Sequence, residues 1–275
     1  MKPAPFNFVR AGSVAEAIAL AGGHSGFAKF IAGGQSLGPM LNLRMTQPDL
    51  VIDISHLEEL RGVDDGDEYL SIGAGVAHAD IEDVSLSDVT KSMLAYVAGG
   101  ISYRAVRNRG TVGGSLAHAD PAADWPVAMI VLGADIVVQG AEATRTVAAG
   151  AFIDGPLSTA LGDDEIITCI AVPKLSADAG WGYRKLCRKV GEFAQTLAAV
   201  VIDPSYGRAR AVLGTAVAAP MMLPLTSAAL TEGGDIAAAV DSDLNASDFP
   251  FDNYERQVHR TLVQRAAADA LEGGP

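Results

Sequence analysis

Between Phe27 and Ile54 the chain alternates strand-like and helix-like habits with glycine punctuation between them. Phe27-Ala-Lys-Phe-Ile-Ala32 is a short apolar run with strand character, and Gly33-Gly34 breaks it. Leu37 to Arg44 follows with helical spacing, and Asp49-Leu-Val-Ile-Asp-Ile54 is a further β-branched run. Strand, glycine turn, helix and strand in that order close most simply as a crossover joining parallel strands. Upstream, Ser13-Val-Ala-Glu16 has the pattern of a capping box, and the Ala/Ile/Leu run behind it stops at Gly22-Gly23. The first 55 residues are therefore expected to form a small βαβ-like unit around a parallel sheet.

Further along, Tyr69-Leu-Ser-Ile-Gly-Ala-Gly-Val76 predicts a strand whose glycines admit another backbone or a ligand. A helical stretch is expected over roughly 88–105. After a glycine-rich segment, Asp120-Pro121 has the N-cap and N1 chemistry of an apolar helix running to about Leu132. Strands are expected at Ala134–Val138 and Glu165–Val172, and Leu175–Ala179 as an exposed loop. Past residue 181 come strands with turns at Asp203-Pro204 and Tyr206-Gly207, an alanine-rich stretch over 226–240, and a last helix over about 251–271 carrying Arg256, Arg260 and Arg265. A domain boundary is placed near 175–181, since 275 residues suit one large domain or two modest ones.

Charge narrows the function classes. With 20 Lys+Arg against 33 Asp+Glu the chain carries −13, which opposes a nucleic-acid backbone or an anionic membrane surface, so no nucleic-acid partner is expected. Cys169 and Cys187 are the only cysteines. They cannot build a disulfide framework, a four-cysteine zinc site or a protein-held iron–sulfur cluster. The apolar stretch Ala128–Val138 is interrupted by Asp135 and is too short to span a bilayer, so a cytoplasmic protein without membrane insertion is expected.

Two glycine turns draw chemical interest. In Ala32-Gly-Gly-Gln-Ser-Leu37 a strand end and the following helix start can present backbone amides to an anion, although a plain tight turn has the same signature. The segment is neither the Gly-x-Gly-x-x-Gly dinucleotide fingerprint nor a Walker A loop. Gly34-Gln-Ser-Leu-Gly38 also matches the elbow of a serine hydrolase, with Ser36 as nucleophile and His56, His78, His118 or His259 as base. Only 35 residues precede Ser36, too few for the strands that normally lead to such an elbow. Thr111-Val-Gly-Gly-Ser115, flanked by Arg107 and Arg109, is the second turn, and together the two suggest a pair of clamps on one long phosphate-containing ligand. Asp120 and Asp124 could accept from sugar hydroxyls. His118 with Asp120 and Asp124 lacks a third ligand at compact spacing, so no metal site is expected. Arg184, Lys185, Arg188 and Lys189 form the densest basic cluster, by default a solvated strand face and otherwise a contact for a phosphate or a ring carbonyl. A cofactor-free scaffold, in which the turns are only turns, is the third class.

Taken together, Ala-Gly-Gly-Gln-Ser-Leu at 32–37, Thr-Val-Gly-Gly-Ser at 111–115 with Ala-His-Ala-Asp-Pro-Ala-Ala-Asp soon after, and Tyr-Arg-Lys-Leu-x-Arg-Lys at 183–189 resemble the FAD-binding medium subunits of molybdenum hydroxylases. That group includes the carbon monoxide dehydrogenase medium subunit and the flavin domain of xanthine dehydrogenase. The resemblance implies an α+β protein: an FAD-binding domain of the vanillyl-alcohol-oxidase (PCMH) type over 1–176, with α/β subdomains at about 1–56 and 57–176, and a smaller C-terminal α+β domain over 181–275 of the carbon monoxide dehydrogenase flavoprotein type. It puts the pyrophosphate loop on Phe30, Ile31, Ala32, Gly33, Gly34, Gln35, Ser36 and Leu37, and the second loop on Thr111, Val112, Gly113, Gly114 and Ser115. It puts the flavin-contacting acid on Asp124, a hydrophobic contact on Ile167 and a basic contact on Lys185 or its neighbour Arg184. The basic contact is expected to stabilise the reduced, anionic flavin. FAD would be the cofactor of this chain, with molybdopterin on a large partner subunit, two [2Fe-2S] clusters on a small one, and a dimer of heterotrimers as the assembly. The flavin subunit would receive electrons from the clusters, so no catalytic acid or base is nominated.

Overall fold

The computed structural model describes residues 2–84 and 86–275. Met1 and Ser85, inside the expected domain boundaries, lie outside the described residues. The N-terminal part runs β1 (Asn7–Arg10), α1 (Val14–Gly22), β2 (Ala28–Ile31), α2 (Leu37–Asn42) and β3 (Leu50–Asp53). Its three strands are parallel in the order β1-β3-β2, as the crossover pattern requires. β1 is a strand the sequence does not announce, because Asn-Phe-Val-Arg becomes one by pairing with β3. Ser13 caps α1 by accepting from the Glu16 amide at 3.0 Å, but the Glu16 carboxylate reaches back to the Gly12 amide (2.6 Å), one residue earlier than the expected box.

The middle of the chain runs β4 (Val63–Asp65), β5 (Tyr69–Gly73), α3 (His78–Glu82), α4 (Met93–Gly99), α5 (Arg104–Arg107), α6 (Val112–His118), α7 (Asp124–Leu132), β6 (Asp135–Gln139), β7 (Thr144–Ala148), α8 (Ala149–Phe152), β8 (Ile153–Gly155), β9 (Ser158–Thr159) and β10 (Ile166–Pro173). A five-stranded sheet is ordered β4-β5-β10-β6-β7, and its pairs are antiparallel. The helix expected over 88–105 is two short ones, because Ser102 turns left-handed (φ 45°) between them. Asp120 does not cap α7. The cap is Ala123, and Asp120 closes a turn of its own by accepting from the Ala122 amide at 2.8 Å and, through its carbonyl, from the Ala123 amide at 3.0 Å.

The last part runs β11 (Gly180–Leu186), β12 (Thr196–Asp203), β13 (Arg208–Gly214), β14 (Met221–Met222), α9 (Pro224–Glu232), α10 (Ile236–Ala246) and α11 (Asn253–Leu271). The alanine-rich stretch is thus two helices parted at Gly233-Gly234. Asp252 and Glu255 make a full capping box at the start of α11. Leu175–Ala179 is not simply exposed: Ala179 is buried, and the Ser176 hydroxyl donates to buried Asp203 at 2.5 Å.

Burial explains how the parts meet. α7 is buried along its whole length and sits in the largest hydrophobic cluster with Ile72, Ile170, Leu197 and Val212. That cluster joins the five-stranded sheet to one face of the β11–β14 sheet. The other face packs beneath α11 in a second cluster, and a third lies between the parallel sheet and α1. β11 alternates accordingly: Trp181 and Tyr183 enter the main cluster. Gly182 faces α11, where a Cβ would fall 1.9 Å from the Ala266 carbonyl oxygen. No helix among the described residues is long and apolar enough to cross a membrane.

Candidate functional site

A cavity of about 690 Å³ opens where β2 ends, and the segment from α5 into α7, strand β10 and the end of β11 complete its wall. Every nominated residue except Val112 and Arg184, the alternative to Lys185, lines it. Val112 is fully buried in the main cluster, and its amide donates to the Val76 carbonyl, so neither its side chain nor its N–H faces the cavity.

The first turn is built to leave donors open. Gly34 has φ +70°, a left-handed conformation that suits glycine, and the chain then enters α2. Among the described residues, the amides of Gly34, Gln35, Ser36 and Leu37 donate to no group within the chain. Four unpartnered N–H groups at a helix start form an anion cradle. The Gln35 side chain donates to the Gly33 carbonyl at 3.0 Å and fixes the turn.

In the second turn the amides are already spent. Val112 N–H donates to Val76, Gly113 to Ala74 at 2.9 Å, Gly114 to the Thr111 hydroxyl at 3.1 Å and Ser115 to the Thr111 carbonyl at 3.0 Å. The segment leading into it is braced by Arg107, which is bidentate to Glu82 (2.7 and 2.8 Å) and donates to the carbonyls of Ile101 and Ser102. His78 donates its backbone amide to the Gly110 carbonyl, and its Nδ1 accepts from Trp125 Nε1 at 3.0 Å. Burial, with the Arg107 charge nearby, lowers the His78 pKa to about 4, so the ring is neutral at pH 7. The two turns touch: a Cβ on Gly33 would fall 2.0 Å from the Arg109 carbonyl oxygen.

At the β11 wall Arg184 and Lys185 point to opposite sides of the strand. Arg184 turns to α11 and is bidentate to Asp269 at 2.6 Å for both bonds. Lys185 points the other way, lines the cavity and donates to both oxygens of Asp124 at 3.0 Å. Lys185 is largely covered, whereas Arg184 keeps 43% of its side chain exposed beside α11, and Arg188 and Lys189 are exposed. The Tyr183 hydroxyl donates to Asp124 Oδ1 at 2.7 Å. Burial pushes the Asp124 carboxyl upward, against the pull of Lys185 and Tyr183, and pushes the Tyr183 phenol well above its ordinary value. Tyr183 is the member of this site that sequence reasoning passed over. Period-two alternation along Tyr183-Arg-Lys185 puts it on the same face as Lys185, but the identity of that face depends on packing.

Nothing in the geometry makes Ser36 a nucleophile. Its backbone is ordinary right-handed helix (φ −101°, ψ −52°) rather than a strained elbow, and its hydroxyl meets no histidine among the described residues.

Known proteins of one family resemble the chain. A family profile described as "FAD binding domain in molybdopterin dehydrogenase" matches residues 4–175. The carbon monoxide dehydrogenase medium chain of Hydrogenophaga pseudoflava is 39% identical over 205 residues, 74% of this chain and 71% of that one. The 6-hydroxypseudooxynicotine dehydrogenase complex subunit alpha of Paenarthrobacter nicotinovorans is 33% identical over 98% of this chain and 96% of its own. Among solved structures, carbon monoxide dehydrogenase from Hydrogenophaga pseudoflava, in a form lacking the Mo-pyranopterin moiety of the molybdenum cofactor, superimposes with a TM-score of 0.91 at 34% identity and covers both chains fully.

Proposed function

The chain belongs to the family of FAD-binding domains in molybdopterin dehydrogenases and is the FAD-binding medium subunit of a molybdenum hydroxylase-type complex; from there we propose that it takes electrons from [2Fe-2S] clusters on a small partner subunit and passes them to an external acceptor. Substrate oxidation then belongs to a large molybdopterin subunit, in a dimer of heterotrimers. FAD-binding residues 1–176, with lobes at 1–56 and 57–176, and a C-terminal domain over 181–275 are the division of this chain that goes with that role.

The observation that carries the proposal is the pairing of an open amide cradle with a half-buried ammonium in one cavity of about 690 Å³. The amides of Gly34 to Leu37 suit a pyrophosphate, which is anionic and needs donors rather than a cation. Phe30, Ile31 and Ala32 lead the strand into that cradle, while Thr111, Gly113, Gly114 and Ser115 form the facing wall. Ile167 supplies an apolar surface next to a β-bulge in β10. Bound FAD supplies a centre that accepts electrons singly and gives them up as a pair. Lys185 holds positive charge at the wall and thereby favours the reduced, more anionic cofactor. Asp124 is the counter-charge that keeps the ammonium there. Cys169 and Cys187 are too few to hold a cluster, which agrees with clusters on a partner.

The test is to purify the chain, record its visible spectrum, identify any cofactor released on denaturation, and mix the FAD-loaded chain with the reduced iron–sulfur subunit. Flavin bands that bleach on mixing are expected. A colourless chain that takes up no added FAD overturns the cofactor site, whereas FAD that binds but is not reduced overturns the electron-transfer role alone. Lys185→Met is expected to lower the midpoint potential of the bound FAD by about 30 mV, a tenfold change for a two-electron couple, and Arg184→Met to leave it in place.

A further inference from the structure

We infer that Tyr183 is a positioning residue for the charge at the cofactor wall: by donating to Asp124 Oδ1 it holds the carboxylate so that the Lys185 ammonium stands at the cavity surface rather than being drawn inward. This deepens the FAD assignment above and rests on it. Three distances define the arrangement. Lys185 Nζ stands 3.0 Å from each Asp124 oxygen, and the Tyr183 hydroxyl is 2.7 Å from Oδ1. The ammonium is therefore shared evenly between the two oxygens, although one of them already has a donor. An ammonium has three N–H groups, and two directed at one carboxylate leave a third free. Lys185 lines the cavity, and that third N–H is available to a ligand there.

Tyr183 reaches Oδ1 from the protein side, in the main hydrophobic cluster, with its ring edge-on to Tyr96 at 6.4 Å. Burial and the Asp124 charge push its phenol well above its ordinary value, so it stays protonated and its O–H donates to the carboxylate. Without the hydroxyl, Oδ1 would lose the second of its two donors and keep only the Lys185 ammonium. The ammonium would shift toward Oδ1 and away from the cavity. Removing a hydroxyl that does not line the cavity would then change how the site discriminates between two charge states of a bound ligand.

Tyr183→Phe in the full chain tests this, with oxidised FAD and dithionite-reduced FAD as the probes, each titrated separately. The expected result is that the ratio of reduced to oxidised affinity falls about fivefold. A role confined to packing weakens both affinities together and leaves the ratio unchanged, and an unchanged or increased ratio overturns the inference. Lys185→Met and the double variant Tyr183→Phe/Lys185→Met close the cycle: the Tyr183 effect on the ratio should vanish once Lys185 is gone. If it persists, Tyr183 does not act through Lys185, and the inference fails. Should Tyr183→Phe fold poorly, Tyr183→Trp, whose indole N–H is a donor, is expected to retain more of the wild-type ratio than Tyr183→Leu, and equal ratios in those two overturn it. Wild-type chain that binds neither form of FAD overturns the cofactor assignment itself, an outcome distinct from all of these.

Discussion

The two glycine turns face one cavity with similar composition and use their backbones in opposite ways. In Ala32–Leu37 four consecutive amides are left without partners among the described residues, whereas in Thr111–Ser115 they are consumed by Val76, Ala74 and Thr111. The first turn is free to receive an anion. The second is a wall, held in place by Arg107, His78 and its own capping threonine. A glycine-rich sequence therefore does not by itself denote a phosphate site. What distinguishes a cradle is whether the fold already occupies its donors.

The largest effect should come from the point where the turns meet. Gly33→Ala sets a methyl against the Arg109 carbonyl, a backbone group that cannot rotate aside, so cradle and wall must part. FAD affinity is expected to fall about 100-fold, near 2.7 kcal/mol, by fluorescence titration. An affinity within a few-fold of wild type would mean that the turns need not be in contact.

Acid should act on the wall and leave the cradle alone. His78 is neutral in the fold with its pKa lowered to about 4, against 6.5 unfolded. Its contribution is complete above about pH 6.5 and is lost as the pH falls toward 4, because over that window the unfolded chain binds the proton more readily. The full loss is about 3 kcal/mol at 1.36 kcal/mol per pKa unit. Urea midpoints measured from pH 7 to pH 4 should decline in the wild type and decline less steeply in His78→Gln. Parallel slopes would remove His78 from the account.

The smallest effect sharpens the contrast. Thr111→Val removes the acceptor of the Gly114 amide and should lower stability by about 1 kcal/mol, the usual worth of an N-cap, with FAD affinity changed less than threefold. A large loss of affinity with intact stability would show that the second turn binds directly.

Much of the parallel unit was legible in the sequence, because β-branched runs and Gly33-Gly34 are local signals. β1 was not, since four residues with no alternation become a strand only beside β3. The apolar run of α7 was legible, but its start was not: Asp120-Pro121 has cap chemistry that a preceding turn uses first. At the site, the motifs picked out glycines, Asp124 and Ile167 that all line the cavity. Lys185 and Arg184 could not be told apart, because strand alternation gives two faces without saying which one meets the cavity. Val112 was included by adjacency in the motif, and the core claimed it.

β11 presents Lys185 to the cavity and Arg184 to Asp269 on α11, and its Gly182 lies against the backbone of the same helix. A ribbon clamped on both sides cannot shift on one side alone. The wall at Lys185 thus depends on the integrity of a segment more than 60 residues later in the sequence. A ribosome must have synthesised that segment before the wall can be complete, and a protease that removes it would damage the site without touching any residue that lines it.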